Sequence, residues 1–214
     1  SRQAQAAGAQ MVMLMPPYHG ATIRVDETAM FGYFRAVADA IDIPIMVQDA
    51  PVSGVELSVG FLAKLAAEIE PVKYLKIEVP GTAAKLRELV RLVGDVIEGP
   101  FDGEEGITLI PDLDAGATGT MPSAVMPEIF RRIFDLHRGG QREEAIALFE
   151  RYLPLVNYEN KLGGLSAAKV LMKEGGVIRS EATRHPTPPL QPDIRTGLVE
   201  TARRLNPLVL YWAK

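Results

Sequence analysis

Residues 74–81 read YLKIEVPG, and the two charges inside this strand-like run decide how the chain is organised. In a strand, Tyr74, Lys76 and Glu78 share one face, while Leu75, Ile77 and Val79 share the other. A surface strand showing its charges to water has the same pattern, so the neighbouring sequence must separate the two cases. Short apolar runs alternate with helical periodicity along residues 11–123. Strands are predicted at 11–15 (MVMLM), 43–48 (IPIMVQ), 72–79, 95–99 (DVIEG) and 117–123 (ATGTMPS). Helices are predicted at about 26–41, 58–69, 82–93 and 105–115, each with an apolar stripe such as Leu86, Leu89, Val90 and Val93. Alternating strands and helices predict a parallel sheet, whose strands are buried on both faces. In that setting Lys76 points into the protein, near the C-terminal end of its strand.

The chain has 214 residues, 47% of them hydrophobic, enough for a sizeable core. A formal charge of −4 gives no basic footprint for nucleic acid or an anionic membrane. No apolar run reaches the roughly 20 residues needed to span a bilayer. With no cysteine, thiol catalysis, disulfides and cysteine-ligated metals are excluded, and a reducing cytoplasmic setting is expected. The opening SRQAQAAGAQ lacks the apolar core of a signal peptide and reads as a helix ending near Gly8, entered in its middle.

Beyond Pro127 the strand patterns stop, and helices are predicted at 127–138, 141–158, 162–174 and 193–205. The expected organisation is the C-terminal part of a TIM barrel over 1–126, then the last barrel helix and a C-terminal helical domain over 127–214. An open doubly wound sheet is the competing arrangement. Against it, no glycine-rich dinucleotide fingerprint follows any strand. The polar residues also gather at strand C-terminal ends, where barrel enzymes keep their chemistry. A complete barrel needs roughly 250 residues, so the expectation is that strands four to eight are present and the first three units are not.

A buried lysine at such a strand end can attack a ketone and form a Schiff base. Only about one ordinary lysine in 2,500 is neutral at pH 7, so burial must favour the neutral amine. Glu78, within about 7 Å along a strand, opposes this by roughly 2 kcal/mol at an effective dielectric of about 20. Such a pair is either a tuned acid–base couple or a structural ion pair. Gln48 ends its own strand. The loop PFDGEEG offers Asp102, Glu104 and Glu105, but without histidine at ligand spacing it reads as a solvated loop or helix N-terminus. His19, His137 and His185 are scattered, and only His19 stands near a strand end. The proline-rich segment 185–193 reads as a stiff connector.

PPYHGAT, PIMVQDAP, YLKIEVPG, FDGEEG and GATGTMPSAV occur in that order. Together they resemble strands four to eight of the dihydrodipicolinate synthase / N-acetylneuraminate lyase superfamily, over essentially the whole chain. These are class I aldolases and dehydratases on a (β/α)8 barrel with a C-terminal helical domain. The resemblance implies that Lys76 is the Schiff-base lysine, that no metal or organic cofactor is needed, and that Gly103 and Met121 line the substrate pocket. The aldolases end the fifth strand in a proton-shuttling tyrosine, where this chain has Gln48. An amide cannot act as an acid or base in its place, so that work is expected to fall to Glu78. VQDAP, EGPFDGEEGITL and the closing RRLNPLVLYWAK resemble the branch that dehydrates 2-keto-3-deoxy sugar acids. The rival readings are an aldolase or synthase acting on pyruvate and an aldehyde, and a non-catalytic oligomerising homologue. The superfamily also implies a homo-oligomer, commonly a dimer of dimers. His19 falls near a tyrosine that the synthases use in subunit contact, and that role is not carried over. The G-T-T-G-E-type loop that holds the substrate carboxylate is not in this sequence, so carboxylate recognition is not assigned.

Overall fold

The computed structural model describes residues 1–17 and 25–213, so His19 lies outside the described residues. Two compact units are present, one of residues 1–104 with 111–121 and the other of 105–110 with 122–214.

The first unit is a sheet with covering helices. A short helix α1 (Arg2–Ala6) precedes β1 (Val12–Leu14), α2 (Glu27–Ala38), β2 (Ile45–Asp49), α3 (Val59–Glu68), β3 (Val72–Ile77), α4 (Thr82–Val93), β4 (Gly99–Asp102), α5 (Leu109–Asp114) and β5 (Gly119–Thr120). Local chemistry sets several boundaries. The Asp26 carboxylate accepts the Ala29 N–H at the start of α2, and the Ser58 hydroxyl accepts that of Phe61 at the start of α3. All neighbouring strands are parallel, and their order across the sheet is β1-β2-β3-β4-β5. Chain order and spatial order never reverse. A doubly wound sheet requires such a reversal, whereas right-handed crossovers of constant direction put every helix on one face. This is a TIM-barrel-like α/β fold.

The two faces of β3 behave as the alternation predicts. Leu75 and Ile77 are fully buried, together with Ile45 and Val47 of β2 and with Leu62, Leu65, Leu86 and Leu89 of α3 and α4. Lys76 and Gln48 lie on the opposite face of their strands, also buried.

The fourth strand corrects the sequence reading. It spans Gly99–Asp102 and not 95–99. Residues 94–97 instead finish α4 in turns, with the Val96 and Ile97 N–H groups both donating to the Val93 carbonyl. DVIEG has strand-like alternation but no partner until Glu98, whose N–H reaches the Lys73 carbonyl. Glycine is required at the neighbouring strand positions by close approach of an aromatic ring. A Cβ on Gly119 would stand 2.1 Å from Phe101, and one on Gly99 would stand 2.7 Å from the same ring. As a result Asp102 lies within the strand and is fully buried, not in a solvated loop.

The second unit is helical: α6 (Pro127–Arg138), α7 (Arg142–Asn157), a π-helical turn over Tyr158–Gly163, α8 (Gly164–Glu174) and α9 (Pro192–Leu205). The Tyr152 hydroxyl donates to the Leu205 carbonyl at 3.0 Å. Arg195 bridges Glu174 and Glu181, at 2.9 Å to each, which ties α8 and α9 to the segment between them. Those contacts hold the Glu181 carboxyl down to about 2. Among the described residues no helix is long and apolar enough to cross a membrane.

Glu159 is a buried carboxyl in this unit. Burial in the π-helical turn, offset in part by a hydrogen bond with Ser123 and reinforced by the charge of Glu105, raises its carboxyl from 4.5 to about 7. Between these values the folded chain holds a proton that the unfolded chain has released. Stability therefore falls as pH rises through that window and levels off above it. At pH 8 the ionised form costs roughly 2–3 kcal/mol, after a discount for partial solvent screening. E159Q is expected to be more stable than the parent by about that amount at pH 8 and no more stable at pH 4.5. Chemical denaturation at the two pH values measures both, and equal stability of the two proteins at pH 8 would contradict the assignment.

Candidate active site

The parallel register sets Gln48 of β2 beside Lys76 of β3, and Lys76 beside Phe101 of β4. Lys76 is only 8% exposed, which is rare for lysine unless it is paired. Its Nζ stands 3.1 Å from Glu78 Oε2. The same carboxylate oxygen accepts a hydrogen bond from Gln48 Nε2 at 2.7 Å. Three residues singled out in the sequence thus converge on one oxygen atom. Glu78 reaches Lys76 because it lies one residue past β3, its N–H still donating to the Asp49 carbonyl at 2.8 Å. Its side chain is 32% exposed, so a ligand or water can reach it. At this separation the carboxylate can take the ammonium proton that must leave before the amine attacks a carbonyl.

Gly103 belongs to this group by absence of a side chain. Its N–H donates to the Ile77 carbonyl at 2.8 Å, and a Cβ here would stand 2.8 Å from both Glu78 Cβ and that carbonyl oxygen. G103A is expected to push Glu78 off its position and lower kcat by about 10–100-fold with the fold retained. Turnover compared with circular dichroism checks this, and parent-like kcat would contradict it. Met121 directly follows β5 and is 39% exposed. The pairing of Asp102 with Thr120 sets Gly103 and Met121 at matching positions one residue beyond the strands.

Several further residues support this arrangement: Asp49, Lys85 and Thr120 were not singled out in the sequence, and Asp102 was read there as part of a solvated loop or helix N-terminus. Asp102 accepts from the Thr120 hydroxyl at 2.6 Å and from the Glu104 N–H at 2.8 Å, which braces the ends of β4 and β5. Asp49, fully buried, pairs with Lys85 of α4 at 2.7 Å. Lys85 Nζ also donates to the Leu57 carbonyl at 2.5 Å, so this lysine is held between two oxygen acceptors. A signal was available: Lys85 falls three residues after Thr82, on the stripe of α4 that continues through Leu86 and Leu89. Tyr74 shares the Lys76 face, yet its hydroxyl donates to Glu98 at 2.5 Å. That hydrogen bond raises its phenol above the ordinary value, so Tyr74 holds its proton. A cavity of about 570 Å³ is lined by Ala50, Pro51, Gly54, Val55, Glu56, Val79 and Pro80, and none of Gln48, Lys76 and Glu78 lines it. Among the described residues no group of three or more histidine or carboxylate side chains is placed to hold a metal.

The chain is a TIM-barrel-like protein with a buried lysine paired to a glutamate at the end of a strand. The sequence pattern of the Dihydrodipicolinate synthetase family matches residues 1–205, and the chain belongs to that family. It is 58% identical over 213 residues to L-2-keto-3-deoxyarabonate dehydratase of Azospirillum brasilense, an alignment covering 100% of this chain and 69% of that protein. It is 32% identical over 165 residues to 4-hydroxy-tetrahydrodipicolinate synthase of Pelobacter propionicus, covering 76% of this chain and 53% of the synthase. The chain therefore spans about half the length of such synthases. Among solved structures, dihydrodipicolinate synthase from Rhodopseudomonas palustris superposes with a TM-score of 0.84 at 28% identity, covering 95% of this chain and 68% of that one. The enzyme from Aquifex aeolicus, at 23% identity and a TM-score of 0.86, shares the fold.

Proposed function

We propose that the protein is a Schiff-base dehydratase that converts 2-keto-3-deoxy-L-arabonate to 2,5-dioxopentanoate (α-ketoglutarate semialdehyde). The observation that carries this reading is the Gln48–Glu78–Lys76 arrangement. It supplies an amine and a carboxylate but puts an amide where the aldolases have a tyrosine. The 58% identity to a dehydratase over the full chain supports the same choice.

In the proposed sequence, Lys76 attacks the C2 ketone and water departs, leaving an iminium that serves as the electron sink. No metal or organic cofactor enters. Glu78 removes a C3 proton to give the enamine, and the C4 hydroxyl leaves as water to give a conjugated iminium. Loss of a C5 proton then forms an enol, which takes protons at C3 and C4 to become the C5 aldehyde. Hydrolysis releases the product and returns Lys76. The overall change is loss of one water from the sugar acid. Gln48 orients Glu78 through its 2.7 Å hydrogen bond and presents its amide to a substrate hydroxyl or water. Gly103 and Met121 shape the substrate side of the site.

In the same reading the five strands correspond to strands four to eight of a (β/α)8 barrel. Residues 1–126 belong to that barrel, and 127–214 form its last helix with a helical domain. The protein works in the cytoplasm as a homo-oligomer, a dimer of dimers. Product analysis tests the function. Incubation with 2-keto-3-deoxy-L-arabonate is expected to yield the semialdehyde. Pyruvate would mark aldol cleavage instead, and unchanged substrate would mark a non-catalytic homologue.

A further inference from the structure

One residue beyond Gln48, Asp49 is the centre of a closed set of contacts that the proposed chemistry does not use. Its Oδ2 stands 2.7 Å from Lys85 Nζ on α4. Its Oδ1 accepts the Leu57 N–H at 3.1 Å, and Lys85 donates to the Leu57 carbonyl at 2.5 Å. Its own main-chain carbonyl accepts the Glu78 N–H at 2.8 Å. The end of β2, the loop 50–57, the first turn of α4 and the peptide bearing Glu78 are thus joined through one residue. An ion pair with a fully buried carboxylate is a poor source of stability, since apolar side chains of similar volume often do as well or better. Its presence at this point calls for a role other than holding the fold.

We infer that the Asp49–Lys85 pair is a positioning device for the proposed reaction, fixing the Glu78 carboxylate and the Gln48 amide relative to Lys76. The inference rests on the dehydratase reading and extends it to two residues that do not touch the reacting atoms. Gln48 is bonded directly to Asp49, and Glu78 hangs from the Asp49 carbonyl. A shift of the pair therefore moves both partners of the 2.7 Å and 3.1 Å contacts together. A displacement of about 1 Å in such a group costs roughly 100-fold in rate. The burden falls on kcat, because the Asp49 and Lys85 side chains are engaged with each other and with Leu57.

The test compares K85M, D49N, the double variant D49N/K85M and K85R with the parent protein. Each is assayed for kcat, KM, and borohydride-trapped adduct on Lys76. K85M and D49N are expected to lose about tenfold or more in kcat, with KM within about threefold of the parent and the adduct still forming. The double variant should lose no more than the worse single change, since the pair acts as a unit. K85R, which keeps the charge, should recover most of the turnover that K85M loses. Where a single variant does not fold, the neutral double variant decides. A folded D49N/K85M protein with parent-like kcat would overturn the inference. So would activity losses that only follow the folded fraction. If the parent itself shows neither turnover nor adduct, the dehydratase reading fails, and this inference fails with it.

Discussion

K76M is expected to abolish turnover, lowering kcat by at least about 10⁴-fold, while the protein stays folded. Methionine has a similar length and no amine, so neither iminium nor enamine can form and the electron sink is lost. The change also removes one member of a buried ion pair, which is normally costly because the remaining charge is stranded. Here the cost is small. Glu78 keeps its hydrogen bond from Gln48 and is 32% exposed, so water and the amide solvate its charge. A thermal melt near that of the parent, alongside absent turnover, is the expected pair of results. Appreciable dehydration by K76M would contradict the role given to Lys76.

E78Q carries the second large effect. Glutamine preserves the size of the side chain and can still accept from Gln48, but it cannot take a proton at C3. Loss of a positioned general base lowers rate by typically 10²–10⁴-fold, and a fall of that size in kcat is expected with little change in KM. Schiff-base formation should persist, slowed, because the amine remains. The contrast with K76M is informative: E78Q traps an adduct and does not turn it over, whereas K76M traps none. Q48A should be milder, about tenfold, since it removes an orienting contact and not a proton carrier. If E78Q turned over at the parent rate, the acid–base work would lie elsewhere.

Four of the five strands and the parallel pairing were legible because the period changes cleanly between strands and helices, and α4 and α6 were legible as apolar stripes beginning at Gly81 and Pro127. That Lys76 and Gln48 share one face of the sheet was legible from alternation. The 3.1 Å contact of Lys76 with Glu78 was not, because strand geometry alone sets those two side chains about 7 Å apart. The difference arises where β3 ends at Ile77 and the Glu78 side chain turns back. The fourth strand was misplaced because DVIEG alternates like a strand, while the true strand, Gly99–Asp102, contains a glycine and a proline that propensity counts against it. The glycine answers to the Phe101 ring, a neighbour that no local pattern reveals. Asp49, Lys85 and Thr120 went unread, and Asp102 was read as part of a solvated loop, for the same reason. The Asp49–Lys85 and Asp102–Thr120 pairs each span 18 or more residues of sequence, so they appear only when the sheet is assembled.

The most direct measurement is covalent trapping. The protein is incubated with 2-keto-3-deoxy-L-arabonate and borohydride, its intact mass is determined, and the modified peptide is sequenced. One reduced adduct per chain is expected, carried by Lys76 and lost in K76M. An unmodified mass, or a label on Lys85 or any other lysine, would contradict it.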